Sequence, residues 1–292
     1  MSTNMCWRTR AACLLAVVAA AALFAAPVAQ ADPGPKHNPP KSVYLALGDS
    51  LAFGYQLARF DANLPNENPA AFNTGYVDDL AQQLAAIDPG IETVNLGCPG
   101  ETTDSFLGLA PCPYHPPFAL HTNYTGSQMD AALKVLEDHR GQVSPVTIDI
   151  GANDELALVR SCTTSSGIDL QCLINGSPAT LAHIQTNLST ILGKIRDAAP
   201  YTEIIVLGNY NPLIVSAPGS DALAAQGNAA LADTAAKFRA DFADPLPVFN
   251  PPVNEIPTIC SLSLICTSLH DIHASDLGYQ KLADLLFAAS GY

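Results

Sequence analysis

From residue 42 to the end, the chain alternates short apolar runs with longer amphipathic ones, and this alternation limits the folds open to it more than any other feature. The runs "SVYLAL", "ETVNLG", "PVTIDIG", "EIIVLGNY" and "LPVFN" are compact and mostly rich in β-branched residues, as strands buried on both faces are. Between them lie the helix-period stretches "TGYVDDLAQQLAAI", "SQMDAALKVLEDHR", "PATLAHIQTNLSTILGKIRDAA" and "SDALAAQGNAALADTAAKFRADFA", and "SDLGYQKLADLLFAA" closes the chain. Repeated strand–helix order predicts an α/β fold: a parallel sheet covered by helices on both faces. In such a sheet ligands bind at the carboxyl ends of the strands.

The first residues read as an address and not as fold. Arg8 and Arg10 precede the apolar run "AACLLAVVAAAALFAAPVA", which ends at Ala29-Gln30-Ala31; this is the charged, apolar and small-residue order of a secretory signal, with cleavage expected after Ala31. Pro27 and the cleavage site argue against a retained membrane anchor. Residues 32–41, "DPGPKHNPPK", form a proline-rich leader, and 42–292 read as one domain. The formal net charge of −14 becomes −16 once the two signal arginines are lost, a surface that repels nucleic acid and anionic lipid.

Cleavage leaves Cys98, Cys112, Cys162, Cys172, Cys260 and Cys266. An even count in an exported chain predicts disulfides, and of the pairings open to six cysteines the neighbour pairs are favoured, because each brackets a loop between regular elements. No C-x-x-C spacing suggests zinc.

Each chemically suggestive residue follows one of the expected strands or precedes the last helix. In "YLALGDSLAFGY", Gly48 permits a sharp turn out of a strand and Ser50 opens a helix, where the positive N-terminal field favours an oxyanion. A serine there is more often a cap, and the stretch is not the G-x-S-x-G elbow, because Ala52 stands in the last glycine's place. "NLGCPGETT" sets the Gly100 amide to donate hydrogen bonds, and "IGANDE" sets the Asn153 amide just past a strand; alone, each is more often a simple turn. "LHDIHASDLGYQKLA" supplies His273, able to accept and return a proton.

Together these stretches resemble the GDSL or SGNH hydrolases, through "GDSL" with Ser50, "GCPGET" with Gly100, "GAND" with Asn153 and "HASDLGY" with His273. The resemblance spans nearly the whole chain after the signal. It implies a flavodoxin-like three-layer α/β/α fold with a five-stranded parallel sheet, and carboxylic ester hydrolysis through an acyl-enzyme. It implies an oxyanion hole from the Ser50 and Gly100 N–H groups and the Asn153 amide, and neighbour-paired disulfides like those of secreted actinobacterial members. One departure concerns the third catalytic residue. The family's aspartate normally stands three residues before the histidine, where this chain has His270; Asp271 lies one residue later. The reading leans towards the His270 carbonyl as the acceptor that orients His273, with Asp271 as the rival. A His270–His273 metal pair lacks further ligands, so no metal or cofactor is expected.

The long loops after Ser50 and Cys98 are expected to wall the crevice, with Phe106, Leu107, Phe118 and Leu120 as candidates for an acyl pocket. The expected substrate is therefore a lipid or simple fatty ester, handled by a secreted monomer that does not insert in membranes. The alternatives are a carbohydrate acetylesterase and a non-catalytic binding protein on the same fold.

Overall fold

The computed structural model describes residues 39–65 and 67–292; the expected signal at 1–31 and most of the 32–41 leader lie outside the described residues. These all belong to one compact unit, Lys36–Tyr292.

Five strands form the main sheet: β1 Val43–Gly48, β2 Glu92–Asn95, β3 Val143–Asp149, β4 Ile204–Leu207 and β5 Asp241–Ala243. Their order is β2-β1-β3-β4-β5, and every pairing is parallel. This is the flavodoxin-like order, whose ligand crevice opens between β1 and β3 where the winding reverses. The helices of eight residues or more are numbered α1 Tyr76–Ala85, α2 Gln128–Asp138, α3 Ala152–Ser161, α4 Leu170–Ala198, α5 Asp221–Lys237, α6 Glu255–Leu262 and α7 Asp276–Ser290.

Side chains alternate across the sheet, so β1 and β4 each feed two cores. Leu45, Leu47, Val146, Ile148 and Val206 face α2, α4 and α5, where Met129, Leu188, Ile191 and Leu231 meet them. Tyr44, Ala46, Ile205 and Leu207 face the other way, onto Leu80 of α1, Ile259 of α6, and Tyr279 and Leu282 of α7. Both faces of β1 and β3 are buried along their length; β1 accordingly reads as one apolar run, while β3 pairs its buried Thr147 and Asp149 with the hydroxyls of Tyr44 and Tyr76. Each fully buried Leu or Ile contributes on the order of 2 kcal/mol.

Three expectations need correction. "LPVFN" is not the fifth strand: Leu246–Phe249 is a helical turn, while Asp241–Ala243 pairs with β4. Pro245 and Pro247 have no N–H for a ladder, and the Asp244 carboxylate takes the Leu246 N–H at 3.0 Å. Accordingly α5 stops at Lys237, and Arg239 turns the chain with φ 53°. Helix α4 begins at Leu170, well before the expected start at Pro178. A proline is common in the first turn, but here the start is capped by Asp169, whose carboxylate accepts from Gln171 and Cys172.

Candidate active site

Ser50 is placed by the turn that leaves β1. Gly48 adopts φ 139°, and a Cβ there would lie 2.3 Å from the Asp149 carbonyl, so the turn excludes any side chain. Asp49 then caps the short helix Ser50–Phe53, its carboxylate accepting from Leu51 N at 3.0 Å.

From this point the Ser50 hydroxyl reaches His273 Nε2 at 2.9 Å, and His273 Nδ1 meets Asp271 Oδ1 at 2.5 Å. The partner of Nδ1 is thus the carboxylate, not the His270 carbonyl favoured from the sequence. His270 takes φ 48° and turns its ring to the Ile265 carbonyl, and this left-handed step brings the next side chain, Asp271, under the imidazole. Asp271 is 6% exposed. Its burial would push the carboxyl up, but hydrogen bonds and charge from His273 and the Leu57 and His273 N–H groups outweigh it and hold the acid below its usual range. An ionised carboxylate only accepts, so Nδ1 carries the proton and Nε2 presents a lone pair to Ser50.

The segment after the serine helix holds the histidine loop in place. Gln56 donates to the Ala274 carbonyl and to Asp276, and Leu57 N donates to Asp271 at 2.8 Å. Tyr55 packs its ring 4.9 Å from the His273 imidazole, and Tyr210 donates to the Ile272 carbonyl. Nothing in the sequence marks Gln56 or Tyr210, because a clamp between distant loops leaves no local pattern.

Gly100 follows β2 in a left-handed conformation, φ 80°, with Pro113 filling the place of a Cβ. Neither its N–H nor that of Ser50 donates to another described residue. Asn153, in the first turn of α3, donates its amide to Asp49 Oδ2 at 3.1 Å and to the Glu101 carbonyl at 3.0 Å. Ser50, Gly100, Asn153 and His273 therefore converge, and all line one cavity of about 450 Å³.

Behind the site lies a buried acidic layer. Asp149 accepts from Tyr76 at 2.5 Å and from Asp49 N at 3.1 Å. Burial, with the neighbouring Asp49 carboxyl, pushes Asp149 well above its ordinary range, and burial pushes Asp49 up as well. Burial also pushes Glu101 up to about 7, against the hydrogen bonds of Ser105 and Gln128. Gln128 ties this layer together through Gly48 N, Gly48 O and Glu101.

The disulfides are the neighbour pairs, Cys98–Cys112, Cys162–Cys172 and Cys260–Cys266. They close the Gly100 loop, join α3 to α4, and fasten α6 to the segment leading to His273. Cys98 and Cys112 lie beside Glu101, but their sulfurs are bonded to each other and offer no thiolates to a metal.

Both long loops wall the cavity, through Tyr55 and Phe60 on one side and Pro113, Tyr114 and Phe118 on the other. Of the four apolar candidates only Phe118 lines it. Phe106 and Leu107 pack into the sheet core, and Leu120 joins the aromatic cluster of Phe53 and Phe72. The larger apolar wall comes instead from Leu156, Val159, Leu173, Leu181, Leu213 and Leu223 on α3, α4, α5 and the turn before α5. On the sequence these are indistinguishable from ordinary core positions of amphipathic helices.

A family model described as GDSL-like lipase/acylhydrolase matches residues 46–281. Among curated proteins nothing matches the chain. Similar solved structures include a lipase from a goat rumen metagenome, 19% identical over 85% of this chain and 96% of that one, with a TM-score of 0.57. An extracellular lipase of Streptomyces rimosus is 17% identical over 85% and 99%, with a TM-score of 0.57. An acetyl xylan esterase of Geobacillus stearothermophilus is 18% identical over 88% and 97%, with a TM-score of 0.54. At these identities the likeness is one of fold.

Proposed function

From the premise that the chain belongs to the GDSL-like lipase/acylhydrolase family and is a carboxylic ester hydrolase, we propose that Ser50 is its nucleophile, His273 its general base and Asp271 the third member of a triad. The observation that carries this is the unbroken chain from Ser50 Oγ through His273 to the Asp271 carboxylate, at 2.9 and 2.5 Å.

In this reading His273 Nε2 takes the Ser50 proton as Oγ attacks the ester carbonyl carbon. Negative charge develops on the carbonyl oxygen, which the Ser50 and Gly100 N–H groups and the Asn153 amide receive. Asn153 shares one of its two amide hydrogens with the oxyanion, while the other keeps the side chain oriented. Collapse expels the alcohol, protonated by His273, and leaves an acyl-Ser50. Water, deprotonated by His273, then attacks the acyl carbon; collapse returns Ser50 and releases the acid. Asp271 stays ionised throughout and holds the imidazole in the one tautomer that can serve as base.

The substrate we propose is a lipid or simple fatty ester. Support comes from the aliphatic wall of α3, α4 and α5, which a bare acetyl group would leave empty, and favours this reading over a carbohydrate acetylesterase. A non-catalytic binding protein would have no need of the serine–histidine–aspartate alignment. A chain-length series of p-nitrophenyl esters tests this: activity should rise from acetate to a medium chain, whereas a preference for acetylated xylan over every fatty ester would reject it.

We place the enzyme outside the cell, with 1–31 as signal peptide, 32–41 as leader and 42–292 as the hydrolase domain, working as a monomer. Three disulfides suit an oxidising compartment, and no described helix is long and apolar enough to cross a membrane. Mass spectrometry of the exported protein should give an N-terminus at Asp32; an intact Met1 terminus on the exported protein would reject the signal.

A further inference from the structure

The wall of the cavity contains an acid that the reaction above does not use. Glu155 follows Asn153 by two positions on α3, about 3 Å further along the axis, and lines the same cavity. Its neighbours have other tasks: Asn153 points to Asp49 and Glu101, while Asp154 accepts from the N–H and hydroxyl of Thr103. Among the described residues nothing donates a hydrogen bond to the Glu155 carboxyl. Only burial and the charge of Asp154 bear on it, and they push it up to about 7. The facing helices bring no charge to it: α4 offers Leu181, and α5 offers Gly227.

Gly227 shows that room is kept for this acid. A Cβ there would stand 2.7 Å from Glu155 Oε1, so α5 carries a glycine in mid-helix, ordinarily an unfavourable choice, where the carboxyl approaches. The same turn of α5 holds a second open polar group. Asn228 accepts from Asn209 N at 2.8 Å and donates to Asn209 O at 2.9 Å, while the Asn209 side chain takes no partner among the described residues and also lines the cavity. A leucine at 155 would complete the aliphatic wall. An acid without a donor is costly in that place unless the ligand brings one.

The direction of the substrate follows from the triad. The leaving oxygen must lie by His273 Nε2 to be protonated, so the alcohol arm runs on the side of Tyr55 and the histidine loop. The acyl arm takes the opposite wall, past Asn153 to Glu155.

Resting on the reading of Ser50 as nucleophile, we propose that this enzyme selects acyl chains bearing a hydroxyl group, which donates to the Glu155 carboxylate and accepts from the Asn209 amide. A hydroxyl suits the site better than an ammonium, because the surrounding leucines would leave a cation poorly solvated. A site built to meet a hydroxyl discriminates strongly against the analogue that lacks it, since its own polar group is then left unpaired.

The test is kcat/KM for p-nitrophenyl octanoate against the same ester hydroxylated at each carbon in turn, with an aminooctanoate ester as a separate arm. Taking the ratio of two substrates cancels the titration of the shared triad. At pH 8 the wild type should prefer one hydroxyoctanoate over octanoate by about 10- to 100-fold, and Glu155→Leu should reverse that preference. The preference should grow in the wild type from pH 6 to pH 8, because the carboxylate accepts a stronger hydrogen bond than the acid. In Glu155→Gln, which keeps an acceptor without a titrating proton, the ratio should stay flat with pH; this holds the test open if the leucine variant does not fold. A ratio near one for every analogue in the wild type, a ratio unaltered by Glu155→Leu, or a preference for the amine over every hydroxyl would overturn the proposal. Wild-type turnover of p-nitrophenyl acetate separates the two readings. Its loss would remove the hydrolase assignment itself, whereas ordinary acetate turnover without hydroxyl preference removes only the role of Glu155.

Discussion

Replacing Asp271 by asparagine is a near-isosteric change whose consequences can be worked through atom by atom. The Asp271 carboxylate accepts three hydrogen bonds, from His273 N and Nδ1 on Oδ1 and from Leu57 N on Oδ2. Asparagine keeps one accepting oxygen and presents an NH2 group in place of the other. With its oxygen towards Leu57, the NH2 faces His273, and the imidazole must move its proton to Nε2, where it can no longer take the Ser50 proton. With its oxygen towards His273, the NH2 opposes the Leu57 N–H, and the segment that anchors the histidine loop loses its tie. The first arrangement preserves the fold and removes the base, so kcat/KM should fall by on the order of 10,000-fold, equivalent to about 5.4 kcal/mol of transition-state stabilisation. The assay is p-nitrophenyl butyrate hydrolysis at pH 8, with circular dichroism and thermal unfolding to establish that the variant is folded. A folded Asp271→Asn enzyme within 100-fold of wild type would refute the reasoning and return the orienting role to a backbone carbonyl such as that of His270.

Asn153→Ala should lower kcat by roughly 100- to 1,000-fold with little change in KM; a raised KM at unchanged kcat would make Asn153 a ground-state binding residue. Reduction should lower thermal stability and activity together, since each closed loop contributes roughly 2–3 kcal/mol on a chain-entropy estimate and the bridges hold walls of the cavity; free thiols at these six cysteines in the native protein would contradict this. Stability should also decline with rising pH. Glu101 is pushed up to about 7 by burial, so the folded state binds its proton more tightly than the unfolded chain, and the associated stability is complete below about 4.5 and lost between there and 7. For Glu101, 1% exposed, the loss is up to about 3 kcal/mol, and Glu101→Gln should flatten the fall in Tm between pH 5 and pH 7.5; an unchanged slope would place Glu101 outside the titration.

The parts legible in the sequence are those whose cause is local. β1 and β4 are buried on both faces, and their unbroken apolar runs say so. Ser50, Gly100, Asn153 and His273 each sit one turn beyond a strand or before a helix, where caps and glycines leave a signature. Contacts between distant segments leave none. Asp271 depends on the left-handed step at His270, which a count of residues between acid and base does not convey. "LPVFN" matches a strand in hydropathy, but Pro247 lacks an N–H for a ladder and the Asp244 carboxylate caps the chain into a helical turn instead. Pro178 imitates a helix start, and only the Asp169 cap reveals the true one. The aliphatic wall of the cavity leaves no mark, because Leu156, Val159 and Leu181 obey the same helical period as core residues, and only the spacing between α3, α4 and α5 opens a cavity beside them.

If Ser50 carries the acyl group, a fluorophosphonate incubated with the protein should add its mass once per chain, on the peptide that contains Ser50, and hydrolysis should stop in proportion to labelling. The Ser50→Ala protein, still folded, should take no label and retain only a residual activity several orders of magnitude below wild type. Labelling at a different residue, with ester turnover intact in Ser50→Ala, would contradict the assignment of the nucleophile.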